Sequence, residues 1–253
     1  MSRKVCVLGN SHIAALKGGW ETASPAKQLD PDFFGALSKG METLALIDGK
    51  LLPSDPEAAA FFCDISGKGI GARAEDYEAF VLCGMGMFPN PVFNNYASYA
   101  TPSTCNTNAA YYVSDACLDD LLWDHIDRSM MMHCARLVRG VTDAPVHLVW
   151  QAFWSEALIN IQWRADQMAP IVANGDQEYI HARMRTVETR LANEGFSVLT
   201  QPEDTLTQGV MTKKEYSRGS VLFREGLNQP HRDNDVFHMN SDYGAKCWNT
   251  WSI

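Results

Sequence analysis

No stretch of about 18 or more consecutive apolar residues occurs in this chain, so no segment reads as a membrane-spanning helix. Lysine and arginine are outnumbered, 21 against 30 acidic residues, giving a net charge of −9. That balance argues against a general nucleic-acid or anionic-membrane binder, since both partners favour a basic face. The seven cysteines (Cys6, Cys63, Cys83, Cys105, Cys117, Cys134, Cys247) are odd in number and contain no C-x-x-C pair. Neither a disulfide framework nor a zinc site is therefore expected. The N-terminus carries Arg3 and Lys4 but only about five apolar residues after them and no small-residue cleavage site, so no signal peptide is expected. With reduced thiols, the expected compartment is the cytoplasm. The first apolar run is not followed by G-x-G-x-x-G, and the glycine-rich Ser66–Gly71 stretch has neither Walker spacing nor a Lys-Ser/Thr at a helix start. That stretch reads as a plain turn. No metal, nucleotide or other cofactor is called for, and no repeat, low-complexity segment or linker divides the chain. At 253 residues and 46% hydrophobic content, it is long enough to bury one core, and residues 1–253 read as a single domain.

What is present is organised around the first dozen residues. Val5-Cys6-Val7-Leu8 runs straight into Gly9, a polar triplet follows, and an apolar stretch of helical character extends from Ile13 to Trp20. A continuous apolar run bounded by a turn reads as a strand buried on both faces, as in parallel sheets. A serine on the turn after such a strand has its hydroxyl held at the carboxyl edge of the sheet, where open α/β folds form their crevices. Its own N–H, at a helix start, is free to stabilise an anion. On this stretch alone, Asn10 or Ser11 serving only as an N-cap is an equal reading.

The far end of the chain changes that balance. Asp235-Val236-Phe237-His238 precedes a short segment of helical character, Ser241 to Trp251. A nucleophilic serine needs a base, and the base needs a third group that fixes its tautomer. Gly-x-Ser after an N-terminal strand, with Asp-x-x-His before the last helix, supplies all three. His231 lies close in sequence, but only His238 has both the Asp-x-x-His partner and the helix behind it.

These two ends resemble the SGNH, or GDSL-type, hydrolase family. Gly9-Asn10-Ser11-His12 stands where that family has its Gly-Asp-Ser block, and Asp235-x-x-His238 where it has its C-terminal block. The resemblance implies an α/β fold, a three-layer α/β/α sandwich with a flavodoxin-like parallel sheet of about five strands. It implies Ser11 as nucleophile, His238 as general base and Asp235 as its orienter. The family's second-block glycine would fall at Gly35 or in the Ser66–Gly71 stretch. Its third block, Gly-x-Asn, is not matched: the equivalent place after Phe80–Cys83 reads Gly84-Met85-Gly86-Met87. The oxyanion would then be held by the N–H of Ser11 and that of Gly84 or Gly86, with Asn90, Asn94 or Asn95 as replacement side-chain donors.

In between, strands and helices alternate. Ser24-Pro25 and Asp30-Pro31 mark a loop, and Asp32–Ala36 a second strand. Leu44–Ile47 and Lys50–Leu52, joined by Asp48-Gly49, form a small inserted β-hairpin. Phe80–Cys83, Val146–Trp150 and Phe196–Leu199 complete the five strands. Residues 88–112 are Pro-, Asn- and Tyr-rich without a clean period and are placed to roof the site. A single long helix is expected from Ser114 to Gly140, with Met130–Met132, His125 and His133 as ordinary helix residues, and a second helix from Gln177 to Asn193. The crest after the fourth strand makes Gln151, Phe153 and Trp154 candidates to line the crevice beside Asn90, with Ser155 capping a helix. Thr212-x-x-Glu215 fits a capping box.

The expected function is a serine ester hydrolase acting on a small-molecule ester, with acetylated carbohydrate as the substrate class the resemblance favours. An acyltransferase with the same triad, or a non-catalytic carbohydrate-binding module on the same fold, are the alternatives. The oligomeric state is not legible.

Overall fold

The computed structural model describes residues 2–23, 28–37, 39–224 and 229–253. The chain opens with strand β1 (Arg3–Gly9) and helix α1 (Ile13–Thr22), and continues with β2 (Leu29–Gly35), the hairpin β3 (Leu44–Ile47) and β4 (Lys50–Pro53), α2 (Pro56–Ser66), β5 (Ala72–Arg73) and β6 (Ala79–Cys83). An excursion follows, with α3 (Asn90–Asn95), β7 (Tyr99–Ala100) and β8 (Tyr111–Tyr112). Then come α4 (Asp115–Asp127), α5 (Met130–Arg139), β9 (Val146–Val149), α6 (Gln162–Asn174), α7 (Gln177–Asn193), β10 (Ser197–Leu199), β11 (Leu206–Thr207), β12 (Met211–Thr212) and α8 (Ser241–Thr250).

The main sheet has the order β10-β9-β6-β1-β2, all parallel. Counting only these five strands in chain order, this is 2-1-3-4-5, the flavodoxin-like arrangement expected from the sequence. The order reverses at β1, which pairs with β2 on one side and β6 on the other. The crevice of such a sheet lies outside the carboxyl ends of the strands at that switch point. Ser11 follows β1 and Gly84 follows β6, so both stand there.

The side chains of β1 alternate between two cores, as the period of two requires. Val5 and Val7 face α1 and α8 among Ile13, Leu16, Tyr243, Cys247, Trp248 and Trp251. Cys6 and Leu8 belong to the core on the opposite face, which Phe34, Phe80 and Leu82 of the neighbouring strands share with residues of α5 and α7. Both β1 faces are fully covered, which explains the unbroken apolar run.

The hairpin forms as Asp48-Gly49 predicts, both residues with positive φ (49° and 74°). β5 adds to it as a third antiparallel strand. Asp30-Pro31 does not make a loop: it lies within β2, with Pro31 opposite Val5. Its missing N–H is tolerated because β2 is an edge strand. Ser24-Pro25 lies outside the described residues. The expected long helix from Ser114 is two helices, because the Ser129 hydroxyl accepts the Met132 N–H (3.3 Å) and caps α5 afresh. Residues 88–112 are not a structureless loop. They carry α3 and the β7–β8 pair, and Asp176, at the start of α7, accepts from both the Tyr96 hydroxyl and the Cys105 N–H. Among the described residues no helix is long and apolar enough to cross a membrane, and all seven cysteines are free.

Candidate active site

The turn between β1 and α1 holds Asn10, Ser11 and His12. Gly9 is required at its start: a Cβ there would overlap the Cys83 carbonyl and come within 2.6 Å of Ile13 Cγ2. Gly35 stands in register beside Gly9, where a Cβ would overlap the Gly9 carbonyl. Gly35 thus belongs to the sheet edge, whereas Gly67 only caps the C-terminus of α2 in the left-handed region (φ 67°). The N-cap position of α1 falls on His12, which makes no side-chain cap. The Ser11 hydroxyl is engaged elsewhere.

Ser11 Oγ lies 2.9 Å from His238 Nε2 across 227 residues of sequence. His238 Nδ1 lies 2.9 Å from Asp235 Oδ2. Asp235 Oδ1 accepts the backbone N–H groups of Phe237 and His238, each at 2.8 Å, so the turn that carries His238 also fixes the carboxylate. With a carboxylate facing Nδ1, the proton of neutral His238 belongs on Nδ1, leaving Nε2 to accept the serine hydroxyl. Burial would raise the Asp235 carboxyl, but the hydrogen bonds from the His238 ring and backbone outweigh it and hold the group well below the usual carboxylate range.

Asn240 secures the end of this turn. Its side-chain oxygen caps α8 through the Tyr243 N–H (3.1 Å), while its NH₂ donates to the carbonyls of Glu215 (2.7 Å) and Arg218 (2.8 Å). α8 then packs along α1, with Trp248 Nε1 donating to the Leu16 carbonyl (2.7 Å). The helices that follow the serine and the histidine are therefore held to each other.

Two further imidazoles flank His238. His12 stacks on it with centroids 4.8 Å apart and planes at 21°. Burial, then the proximity of His238, push His12 down to about 3, so it stays neutral at physiological pH. On the other side, the His231 ring is 4.0 Å from His238, and its Nδ1 lies 3.0 Å from the same Asp235 Oδ2. Neither flanking histidine was assigned a role from the sequence. The signal for His12 was its place in the nucleophile block. For His231 it was a spacing of four residues to Asp235. The ligand atoms of His231, Asp235 and His238 lie within 4.8 Å of one another, a spacing compatible with a metal ion. The two Nδ1 hydrogen bonds to one carboxylate oxygen account for this clustering without one.

The crest after β6 is unusual backbone. Gly84, Met85 and Gly86 all have positive φ (79°, 51° and 87°), and Met85 is held there by a bond from the Met131 N–H to its carbonyl (3.0 Å). Gly84 packs on the Ser11 turn, where a Cβ would overlap Asn10 Oδ1 and approach His12 Cδ2 to 3.0 Å. Among the described residues no protein acceptor takes the N–H of Ser11, Gly84 or Gly86. Asn94 Oδ1 accepts from Gln167 Nε2 (2.9 Å), which turns that side chain toward α6, and the Asn95 NH₂ donates to the Pro91 carbonyl (2.7 Å). Asn90 is half-buried at the start of α3. Asn10 lies against the crest itself, its Oδ1 packed on Gly84 and accepting the His12 N–H (3.4 Å).

The expected crevice lining needs correction. Phe153 and Trp154 are 3% and 2% exposed, inside an aromatic cluster with Phe88 and Phe93. They support the site from behind: Trp154 meets Phe237 edge to face (6.0 Å), and the Ser155 N–H donates to the Val236 carbonyl (2.9 Å). Aromatics on a crest read as open lining only because local sequence does not record the layer above them. Gln151 and Phe153 border a separate cavity of about 530 Å³ against α7, which no triad residue lines. The Thr212-x-x-Glu215 capping box does not form, because the Thr212 hydroxyl donates to the Phe153 carbonyl instead. Ser155 does cap, though the segment behind it, Glu156–Asn160, is a 3₁₀ turn.

Two cavities border the cluster of Ser11, Asp235 and His238 or its immediate neighbours. One, of about 590 Å³, is lined by Asn10, Glu42, Met85, Gly86, Asp124, His125, Arg128 and Ser129, among others. The other, of about 610 Å³, is lined by His231, Asp235 and His238 together with Ile161, Leu222, Pro230 and Phe237.

No protein-family model and no curated protein matches the sequence. Among solved structures, the chain is similar to the periplasmic domain of a lipopolysaccharide acetyltransferase from Salmonella ser. Paratyphi A, with 13% identity, a TM-score of 0.43, and coverage of 98% of this chain and 82% of that one. It is also similar to a protein described as an acylhydrolase from Bacteroides fragilis (10% identity, TM-score 0.38, covering 98% and 83%). A third likeness is to a lipase from a goat rumen metagenome (10%, 0.39, covering 98% and 95%). Likenesses of this degree say nothing of chemistry.

Proposed function

We propose that this protein is a serine esterase of the SGNH type, transferring an acyl group from a small-molecule ester to Ser11 and then to water. The observation that carries this reading is the run of contacts from Ser11 Oγ to His238 Nε2 (2.9 Å) and from His238 Nδ1 to Asp235 Oδ2 (2.9 Å). A structural histidine has no need of that order of partners, whereas a general base does.

His238 takes the hydroxyl proton as Ser11 attacks the ester carbonyl, and returns it to the departing alkoxide. Asp235 holds the Nδ1–H tautomer and stabilises the imidazolium. A water then attacks the acyl-enzyme with His238 as base, and His238 passes that proton to Ser11 Oγ as the acyl–oxygen bond breaks and the acid leaves. The N–H groups of Ser11 and of Gly84 or Gly86 hold the oxyanion. The Asn10 NH₂ is the proposed replacement for the absent third-block asparagine, since its Oδ1 takes the His12 N–H (3.4 Å) and leaves the amide nitrogen to donate. Each such donor is typically worth about 3 kcal/mol of barrier.

Acetylated carbohydrate is the proposed substrate class. Glu42, Asp124, Arg128 and Ser129 give the cavity beside Gly86 the mixed polar lining that suits a hydroxyl-rich alcohol. A reducing cytoplasm is the proposed compartment.

The test is covalent: a fluorophosphonate probe should label wild type at Ser11, with no labelling of Ser11→Ala. Product analysis on acetylated sugars, with and without an added alcohol acceptor, separates hydrolysis from acyl transfer. Absence of both labelling and turnover would leave the non-catalytic module as the better reading.

A further inference from the structure

Asp235 Oδ2 has two imidazole partners, not one. His238 Nδ1 is 2.9 Å from it and His231 Nδ1 is 3.0 Å from it. With Oδ1 taking the N–H groups of Phe237 and His238, the carboxylate accepts four hydrogen bonds, which uses its acceptor capacity in full. We propose that His231 is a positioning residue of this site, fixing the Oδ2 of Asp235 and walling in the ring of His238. The proposal rests on the serine-esterase reading above.

Three observations support it. The His231 side chain is only 5% exposed, and its Nε2 is buried without a hydrogen-bond partner. A histidine recruited purely for packing would pair both ring nitrogens or be replaced by an apolar residue. Here the single side-chain hydrogen bond is spent on the carboxylate that orients the base. Burial, and then the proximity of His238, lower the affinity of His231 for a second proton, so Nδ1–H is a neutral donor in place rather than a competing cation. Finally, the segment that carries His231 is tied down on its own account. Its N–H donates to the Ser220 carbonyl (2.9 Å), and the neighbouring Pro230 bridges to Val221.

Position matters because proton transfer from Ser11 depends on the His238 ring staying aligned. The centroid of His231 lies 4.0 Å from that of His238, with planes at 59°, so the ring cannot swing toward the cavity on that side while His231 is present. His12 blocks the other face at 4.8 Å. Removing the wall and the second donor together frees both the carboxylate and the base.

Three variants discriminate by stereochemistry. In His231→Asn the amide nitrogen occupies the Nδ1 position, in His231→Gln the amide nitrogen reaches the Nε2 position, and His231→Leu has neither. Each is assayed for kcat and KM on an aryl acetate and for the rate of fluorophosphonate labelling, with the thermal midpoint as a check on folding. Leu and Gln should lower kcat and the labelling rate about 10-fold or more with KM unchanged, as expected when a reacting group is displaced by a fraction of an ångström. Asn should stay within about 3-fold of wild type. If Leu does not fold, the Asn-against-Gln comparison decides alone. An unchanged kcat in Leu or Gln, an Asn variant as impaired as those, or an effect confined to KM would each overturn the role of His231. In all three cases an active, labelled wild type leaves the esterase reading standing. A wild type that neither turns over nor labels overturns both.

Discussion

Gly19 of α1 and Gly244 of α8 meet backbone to backbone. A Cβ on Gly244 would overlap the Ala15 carbonyl, and one on Gly19 would overlap the backbone of Gly244 and Ala245. α1 begins at Ile13, just after the turn of Ser11, and α8 begins at Ser241, just after the turn of Asp235 and His238. The closeness of these two helices is therefore what brings together residues from the two ends of the chain. Neither glycine has a positive φ. They are needed for contact, not for conformation.

The first prediction follows directly. Gly244→Ala should lower stability by about 1–3 kcal/mol, the usual range for forcing extra volume into a packed interior. Because the methyl meets backbone rather than a movable side chain, α8 must shift and carry His238 away from Ser11. Labelling of Ser11 should slow even below the unfolding transition. Denaturant unfolding and probe kinetics on the same samples check this, and full-rate labelling in a destabilised Gly244→Ala would break the link between helix contact and site.

The second concerns the crest. Asn10→Ala should cut kcat about 100-fold, the loss typical for one oxyanion donor. Asn94→Ala and Asn95→Ala should stay near wild type, because their side chains are engaged with Gln167 and Pro91. Asn90→Ala is expected to be close to neutral as well. Steady-state kinetics on a short-chain aryl ester decide it, and a loss in Asn90→Ala with none in Asn10→Ala would reverse the assignment.

Much of this arrangement could be read from the sequence, and the failures share one cause. The β1 run, the Asp48-Gly49 hairpin and the 17 residues of α7 announced themselves because their patterns are local. So did Asp235-x-x-His238, whose spacing is that of a single turn. The break at Ser129 was hidden because apolar spacing continues through it from Ile126 to Met130 and Cys134. Pro31 looked like a loop residue because nothing nearby says that its strand will lie at a sheet edge. Phe153 and Trp154 looked like lining because only the fold places Phe88 and Phe93 on top of them. His231 shares its aspartate with His238 through a loop path that spacing alone could not distinguish from competition for the same role.

A third prediction concerns acid stability. Burial is the first cause that lowers His12, to about 3, and it also lowers His125, His147 and His231. Below an unfolded-state value of about 6.5, the unfolded chain takes up protons that these folded rings refuse. Each ring therefore contributes stability that is full above that value and is lost as the pH falls toward its folded value. Asp235, held low, acts in the same direction but only below about pH 4. The guanidinium midpoint should fall steadily from about pH 7 to pH 5, with each of the four rings contributing up to about one proton to the slope. His12→Phe should flatten part of that slope. A midpoint that stays level or rises on acidification contradicts the account.

The last prediction separates an enzyme from a binding module by its protons. Attack by Ser11 requires neutral His238, so kcat/KM for ester cleavage should rise through one ionisation as pH increases and then level off. The acid limb belongs to an imidazole and not to Asp235, because that carboxyl is held ionised to well below the ordinary carboxylate range. His12 is excluded too, since at about 3 it stays neutral across the whole profile. Asp235→Asn keeps the shape of the turn but replaces an acceptor with a group that can present an NH₂ to Nδ1. The wrong tautomer is then favoured, and kcat should fall by up to about 10⁴. Ser11→Ala should abolish acylation while leaving ligand affinity nearly intact, because the hydroxyl contributes to bond making far more than to binding. The measurement is a pH–rate profile of wild type beside both variants on acetylated sugars and aryl acetates, with affinities measured on the same ligands. A profile without the acid limb, or an Asp235→Asn variant at wild-type rate, would remove His238 from the role of base. Equal ligand binding by wild type and Ser11→Ala, with no turnover by either, would instead mark a site that only binds.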